Sequence, residues 1–147
     1  MTDVEGVFFC GSNKSGQCGR RPDRDEKSGS SPRFFQFDTS ERFGSPAVKV
    51  SCGFDHSMIL LQDGRVLAFG NGWDGQLGKE DFKSNHIPTP VSQEDGVEFV
   101  DIEAKGYPSI VNNQTRSHFL LNFEFTSVLR GLDAGARSRR SALGLGE

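Results

Sequence analysis

The chain is poor in sulfur and in large polar aromatics. Its 147 residues hold three Cys, two Met, one Trp and one Tyr. An odd, low cysteine count, with neither a basic start nor an apolar stretch in "MTDVEGVFFCGS", argues against a secreted disulfide framework. The expectation is an intracellular protein with reduced thiols, cytoplasmic or nuclear, in which the sequons at Asn13 and Asn113 carry no glycan. Long hydrophobic runs are also lacking, so no membrane span is expected. A surplus of charge is missing too: 17 Lys+Arg stand against 20 Asp+Glu, a net charge of −3. That excludes coating nucleic acid by bulk charge, and contact with chromatin finds no support there. What is abundant is Gly, 18 times, and Phe, 13 times, a mixture that predicts short strands joined by tight turns.

The chain repeats itself. "VFFCGSNKSGQCG" (Val7 to Gly19) lies over "VLAFGNGWDGQLG" (Val66 to Gly78) at a constant offset of 59, with three glycines and a glutamine in register. At an offset of 52, "VKVSCGFDHSMILLQDGRVLAFG" (Val48 to Gly70) lies over "VDIEAKGYPSIVNNQTRSHFLLN" (Val100 to Asn122). There the apolar frame survives, while Gly53 becomes Lys105, His56 becomes Pro108 and Gly64 becomes Arg116. Spacings of this size suit one propeller blade per repeat. They divide the chain into a half repeat with a polar connector over 1–47, a nearly complete repeat over 48–99, a degenerate repeat over 100–130 and a flexible tail over 131–147.

The unit reads as all-β. "SMILL" and "RVLAF" are apolar on both faces, as strands stacked between neighbouring sheets would be. Asp63-Gly64 between them supplies the positive φ angles of a tight hairpin turn. In "GNGWDGQLG" the glycines allow left-handed turns and close approach, and Leu77 can plug back into the core. "RRPDRDEKSGSSPR" (Arg20 to Arg33) reads as a loop, "RFFQF" as a short outer strand, and "KEDFKSNHIPTP" (Lys79 to Pro90) as an extended connector. Phe119, Leu121, Phe123 and Phe125 alternate as a strand would, and the pattern is lost from Gly131.

Val50-Ser51-Cys52-Gly53-Phe54-Asp55-His56-Ser57-Met58-Ile59-Leu60 resembles the signature of the regulator of chromosome condensation repeat, and "DGRVLAFGNGWDGQLG" resembles the rest of that repeat. The structural signature then comprises Gly53, His56, Asp63, Gly64, Gly70, Gly75, Gln76 and Gly78. The resemblance implies a β-propeller of four-stranded antiparallel blades, usually seven to a ring, of which this chain supplies fewer than three. Open blade edges are then expected, and with them self-association. The family includes an exchange factor for the small GTPase Ran that docks on chromatin, ubiquitin ligases, ciliary GTPase regulators and a plant ultraviolet receptor. The single Trp73 excludes sensing by clustered tryptophans.

No chemical constellation accompanies the repeat. Zinc would need Cys10, Cys18, Cys52 and His56 to converge, and C-x7-C with C-x3-H matches no usual finger or ribbon. The internal partners of the three cysteines are Phe69, Leu77 and Ala104, so all three are expected to be small core residues. A Cys52–His56 nucleophile pair fails for want of an exposed, electropositive thiol and an orienting third group. His56 is expected to bond backbone at a blade turn. Asp55, Asp63, Asp74 and Asp81 form no acid–base pair. "GNGWDGQLG" lacks the lysine and the strand–helix context of a phosphate cradle. "ARSRR" (Ala136 to Arg140) reads as a solvated basic terminus. The expectation is a non-enzymatic protein-binding module, without metal or cofactor, with Trp73 and Asp74 as candidate partner contacts. The alternatives are nucleotide exchange on a Ran-like small GTPase, and a truncated product without a function of its own.

Overall fold

The computed structural model describes residues 6–22, 30–79, 81–91, 97–113 and 118–121. They form nine strands and one short helix: β1 (Val7–Ser12), β2 (Ser30–Phe37), α1 (Thr39–Phe43), β3 (Ala47–Cys52), β4 (His56–Leu61), β5 (Val66–Gly70), β6 (Asn85–Pro90), β7 (Phe99–Ala104), β8 (Ser109–Asn113) and β9 (His118–Leu121). The strands pair antiparallel in three sheets, ordered β1-β2, β3-β4-β5-β6 and β7-β8-β9. Phe123, Phe125, the tail and its basic patch lie outside the described residues.

The middle sheet is sandwiched, which explains its doubly apolar strands: every residue of β4 and β5 is buried. Because side chains alternate across a strand, each strand feeds two cores. Ile59, Leu61, Leu67 and Phe69 pack with Val7, Phe9 and Cys18 of the first unit. Met58, Leu60, Val66 and Ala68 pack with Phe99, Ile102, Ala104 and Val111 of the third sheet. Leu77 returns from its glycine loop into this second core, as its place in the repeat predicts.

Three local readings need correction. The β4–β5 turn is a three-residue loop: Gly64 N–H donates to Leu61 O (3.1 Å) and Leu61 N–H to Arg65 O (2.9 Å). Only Gly64 takes positive φ, at 81°, while Asp63 stays in the ordinary region, as in a type I turn closed by a left-handed glycine. The "HIPTP" part of the connector is strand β6, the fourth of its sheet. Proline is tolerated there because β6 is an edge strand with one side to solvent. Strand β2 likewise begins at Ser30, inside the segment read as loop.

Helix α1 was not anticipated. Asp38 caps it by accepting from Glu41 N–H at 3.0 Å, and Gly44, at φ 70°, ends it by donating to Ser40 O at 2.9 Å. Arg65 fastens it to the hairpin by donating from Nη2 to Phe43 O at 2.6 Å.

Candidate interaction surface

The signature residues occupy the two ends of the middle sheet. Asp63 and Gly64 form the β4–β5 turn at one end. Gly53, His56, Gly70, Trp73, Asp74, Gly75, Gln76 and Gly78 gather at the other, where Asn71 N–H donates to Asp55 O at 2.7 Å and ties the β3–β4 turn to the loop after β5.

Gly53 and His56 act as a pair. The turn is closed by Gly53 N–H to His56 O at 2.9 Å, and its counterpart in the third sheet by Lys105 N–H to Pro108 O at 3.1 Å. The turn itself therefore needs neither glycine nor histidine. What needs the glycine is the imidazole together with the backbone of the next sheet: a Cβ on Gly53 would lie 2.2 Å from His56 Cε1 and 2.6 Å from Gly106 O. Where the histidine becomes Pro108, the glycine is free to become Lys105.

The His56 ring is 1% exposed and shares a hydrogen bond with Ser109, Nε2 to Oγ 2.6 Å, across the junction to the third sheet. Its Nδ1 has no hydrogen-bond partner among the described residues. Burial pushes its pKa below the ordinary histidine value and so favours the neutral ring, opposed by the nearby Asp55 carboxylate. The expected backbone bond is thus corrected: the side chain bonds a serine hydroxyl of the next sheet. Two more bonds cross beside it, from Phe54 N–H to Gly106 O and from Ala104 N–H to Ser51 Oγ, both 2.9 Å. Lys49 and Asp101 add an ion pair, which holds the Asp101 carboxyl below its ordinary range.

The glycine loops are built alike. Gly75 N–H donates to Gly72 O and Gly78 N–H to Gly75 O, as Gly16 does to Asn13 O and Gly19 to Gly16 O. Gln76 Oε1 accepts from Asp74 N–H and Gln17 Oε1 from Ser15 N–H, each at 2.9 Å. Gln17 Nε2 also reaches Asp55 Oδ1 at 3.3 Å, whereas buried Gln76 Nε2 has no partner among the described residues. The residue 52 places after Asp55 is Tyr107, which offers no carboxylate. Gly70, at φ 108°, lies so close to Asp55 O that an added Cβ would stand 2.4 Å from it. At the far end, Asp63 accepts from Arg65 Nε at 2.8 Å, and this bond holds its pKa down.

Hung on this frame is an exposed aromatic group. Trp73 is 74% exposed, Phe54 68% and Tyr107 54%, and the last two meet edge to face with centroids 5.3 Å apart. Trp73 and Asp74 were anticipated as contacts. Phe54 and Tyr107 were not among the candidates, although each is an aromatic inside a glycine-flanked turn. The cysteine reading is corrected in part. Cys18 is buried, but Cys10 and Cys52 are exposed, because the faces of β1 and β3 that carry them meet no further sheet among the described residues. Among those residues no three His, Cys, Asp or Glu side chains gather as a metal site, and no helix is long and apolar enough to cross a membrane.

The family model of the Regulator of chromosome condensation (RCC1) repeat matches residues 5–60 and 63–109, and a second model of the same repeat matches 47–76. The human RCC1-like G exchanging factor-like protein is 36% identical over 107 residues, covering 72% of this chain and 22% of that protein. The E3 ubiquitin-protein ligase MYCBP2 of Danio rerio is 53% identical over 45 residues, which is 31% of this chain and 1% of that protein. The crystal structure of human WBSCR16 superposes with a TM-score of 0.72 at 32% identity, over 80% of this chain and 29% of that one. Yeast RCC1 (Prp20), solved bound to Kap60, superposes at 0.69 with 20% identity over 83% of this chain and 29% of its own, which speaks for the fold alone.

Proposed function

The chain belongs to the regulator of chromosome condensation repeat family and forms part of a β-propeller, and from that premise we propose that it is a non-enzymatic module that binds a protein partner through the loops carrying Phe54, Trp73 and Tyr107. The observation that carries this is the exposure of three large aromatics on loops pinned by short backbone hydrogen bonds. Rigid aromatics lose little conformational entropy on burial and make effective anchors at interfaces. Asp74 sits beside Trp73 and supplies a charge at the rim. The chain spans 22% of the first human relative, so the reading concerns this segment of a propeller surface.

A second reading is nucleotide exchange on a Ran-like small GTPase, within the cytoplasm or nucleus. The names of two relatives favour it: the RCC1-like G exchanging factor-like protein, and the secretion-regulating guanine nucleotide exchange factor of mouse, 34% identical over 79 residues. One experiment addresses both. The full chain is titrated into a Ran-like GTPase loaded with labelled GDP, and binding and nucleotide release are followed together. Binding lost in Trp73→Ser and Phe54→Ser supports the interaction surface, and accelerated release supports exchange. Binding that survives scrambling of residues 70 to 78 overturns the loop assignment.

A further inference from the structure

Gln17 and Gln76 hold the same repeat position, 59 residues apart, and differ in what their amide nitrogen finds. Each accepts at Oε1 from a backbone N–H of its own loop. Gln17 Nε2 then donates to Asp55 Oδ1 at 3.3 Å and to Ser12 Oγ at 3.4 Å. Gln76 is 1% exposed, and its Nε2 meets no acceptor among the described residues. Both counterpart acceptors have been replaced. Asp55 becomes Tyr107 at the offset of 52, and Ser12 becomes Asn71 at the offset of 59. Asn71 Oδ1 is engaged elsewhere, accepting from Trp73 N–H at 3.0 Å and from Ser84 Oγ at 3.4 Å.

Folding has already stripped the Gln76 amide of water, so an acceptor brought to it gains a bond for which nothing is given up. The first junction between repeats shows which acceptor suits the position: a carboxylate, carried on the turn of the next sheet. A charged acceptor also makes the stronger bond to an N–H. In the second junction the turn that carried the acid carries Tyr107. That ring is 54% exposed and touches Phe54 edge to face, so it can turn aside without opening a core. Lys105, in the same turn, is exposed and adds a positive charge.

We propose that Gln76 Nε2 is the receptor for an acidic side chain of the protein partner. The partner's Asp or Glu enters beside Tyr107 and takes the place that Asp55 fills for Gln17. Apolar residues next to that acid in the partner lie on Phe54, Tyr107 and Trp73. The inference rests on the reading of this end as a protein-binding surface, and it adds the chemistry of the anchor.

The test follows the side-chain amide of Gln76 by nitrogen-15 NMR in the full chain at pH 7.5. The probes are the peptide Ala-Leu-Asp-Leu-Ala, its Asn counterpart, and acetate. The expected result is a saturable downfield shift of the Gln76 amide protons with the Asp peptide, about tenfold weaker binding of the Asn peptide, and no saturation by acetate over the same range. Two variants act in opposite directions. Gln76→Glu keeps an oxygen for the Asp74 N–H and turns the donor into a carboxylate, so preference for the Asp peptide should vanish. Tyr107→Asp supplies the acid from within, so the Gln76 amide should sit downfield before peptide is added and the peptide should no longer move it. A Gln76 amide that ignores the Asp peptide, answers the Asn peptide equally, or is unmoved by Tyr107→Asp overturns the proposal. Acetate binding as tightly as the peptide overturns it as well, because the site then takes a free carboxylate. A peptide that moves the Trp73 indole signal and leaves Gln76 unmoved overturns this inference alone and leaves the aromatic surface standing.

Discussion

At the scale of single residues, two glycines separate packing from backbone strain. Gly53 has no positive φ, so its requirement is one of space: a Cβ would strike both His56 and Gly106 O. Gly44 has φ 70° and nothing within 4 Å of an added Cβ, so its requirement is conformational. Gly53→Ala is expected to cost about 2 to 3 kcal/mol by overpacking, and Gly44→Ala about 1 kcal/mol through the left-handed penalty. Urea unfolding at pH 7.5 measures both, and equal costs would contradict this account. His56 adds a pH dependence with a fixed sign. Burial lowers its folded pKa below the unfolded value of 6.5, so the unfolded chain binds the proton more readily. Stability from this group is complete above about pH 6.5 and falls as pH drops through that value toward the folded pKa, by at most about 1.4 kcal/mol per pH unit. The lowered carboxyls of Asp63 and Asp101 act in the opposite half of the acid range, below their ordinary value of 3.8. A slope between pH 7 and 5.5 that persists in His56→Asn would assign the effect elsewhere.

At the scale of elements, the short helix depends on its ends. Five residues cannot nucleate a helix by propensity alone, so α1 stands on the Asp38 cap, the Gly44 terminus and the bond from Arg65 to Phe43 O. Asp38→Ala should cost about 1 kcal/mol, and hydrogen exchange should show the Glu41 amide losing protection while the β4 and β5 amides keep theirs. Asp38-Thr39-Ser40-Glu41 followed by Gly44 was a legible start and stop, eclipsed in the sequence by the surrounding β-pattern. Other elements were legible in full. The apolar runs on either side of Asp63-Gly64 became β4 and β5, and the offset of 59 placed Gln17 and Gln76 in the same bond to their loops. What could not be read depends on neighbours. Cys10 matches Phe69 in sequence, yet Phe69 is buried against the first unit and Cys10 has no sheet to face among the described residues. The bond from His56 to Ser109 spans 53 residues, and nothing in either turn announces its partner. Strand β6 was hidden by its prolines, which read as connector until the edge position is known.

For the whole molecule, stability should follow the seams between sheets, because each repeat buries its apolar face only on its neighbours. The seam between the second and third sheets is complete on the third-sheet side: Phe99, Ile102, Ala104 and Val111 are all buried there. Backbone bonds cross it at both ends, Phe54 N–H to Gly106 O at one and Phe99 N–H to Gly64 O at the other, each 2.9 Å. The corresponding face of β3 is open, with Val48 and Val50 both exposed. Ile102 and Val50 hold the same repeat position, 52 residues apart, so they measure the seam with chemistry nearly held constant. Ile102→Ala removes buried methylenes from a closed core and should cost about 2 to 4 kcal/mol, whereas Val50→Ala at an exposed position should change stability by less than about 0.5 kcal/mol. The ion pair of Lys49 with Asp101 crosses the same seam but is half exposed on both sides, so replacing either partner should cost under about 1 kcal/mol and less in high salt. Chemical unfolding of the three single variants decides the matter. If Val50→Ala proves as costly as Ile102→Ala, the face of β3 is covered in solution and the asymmetry between the two seams is absent. If only Ile102→Ala is costly, the core between the second and third sheets carries the stability, and the face of β3 contributes little to it.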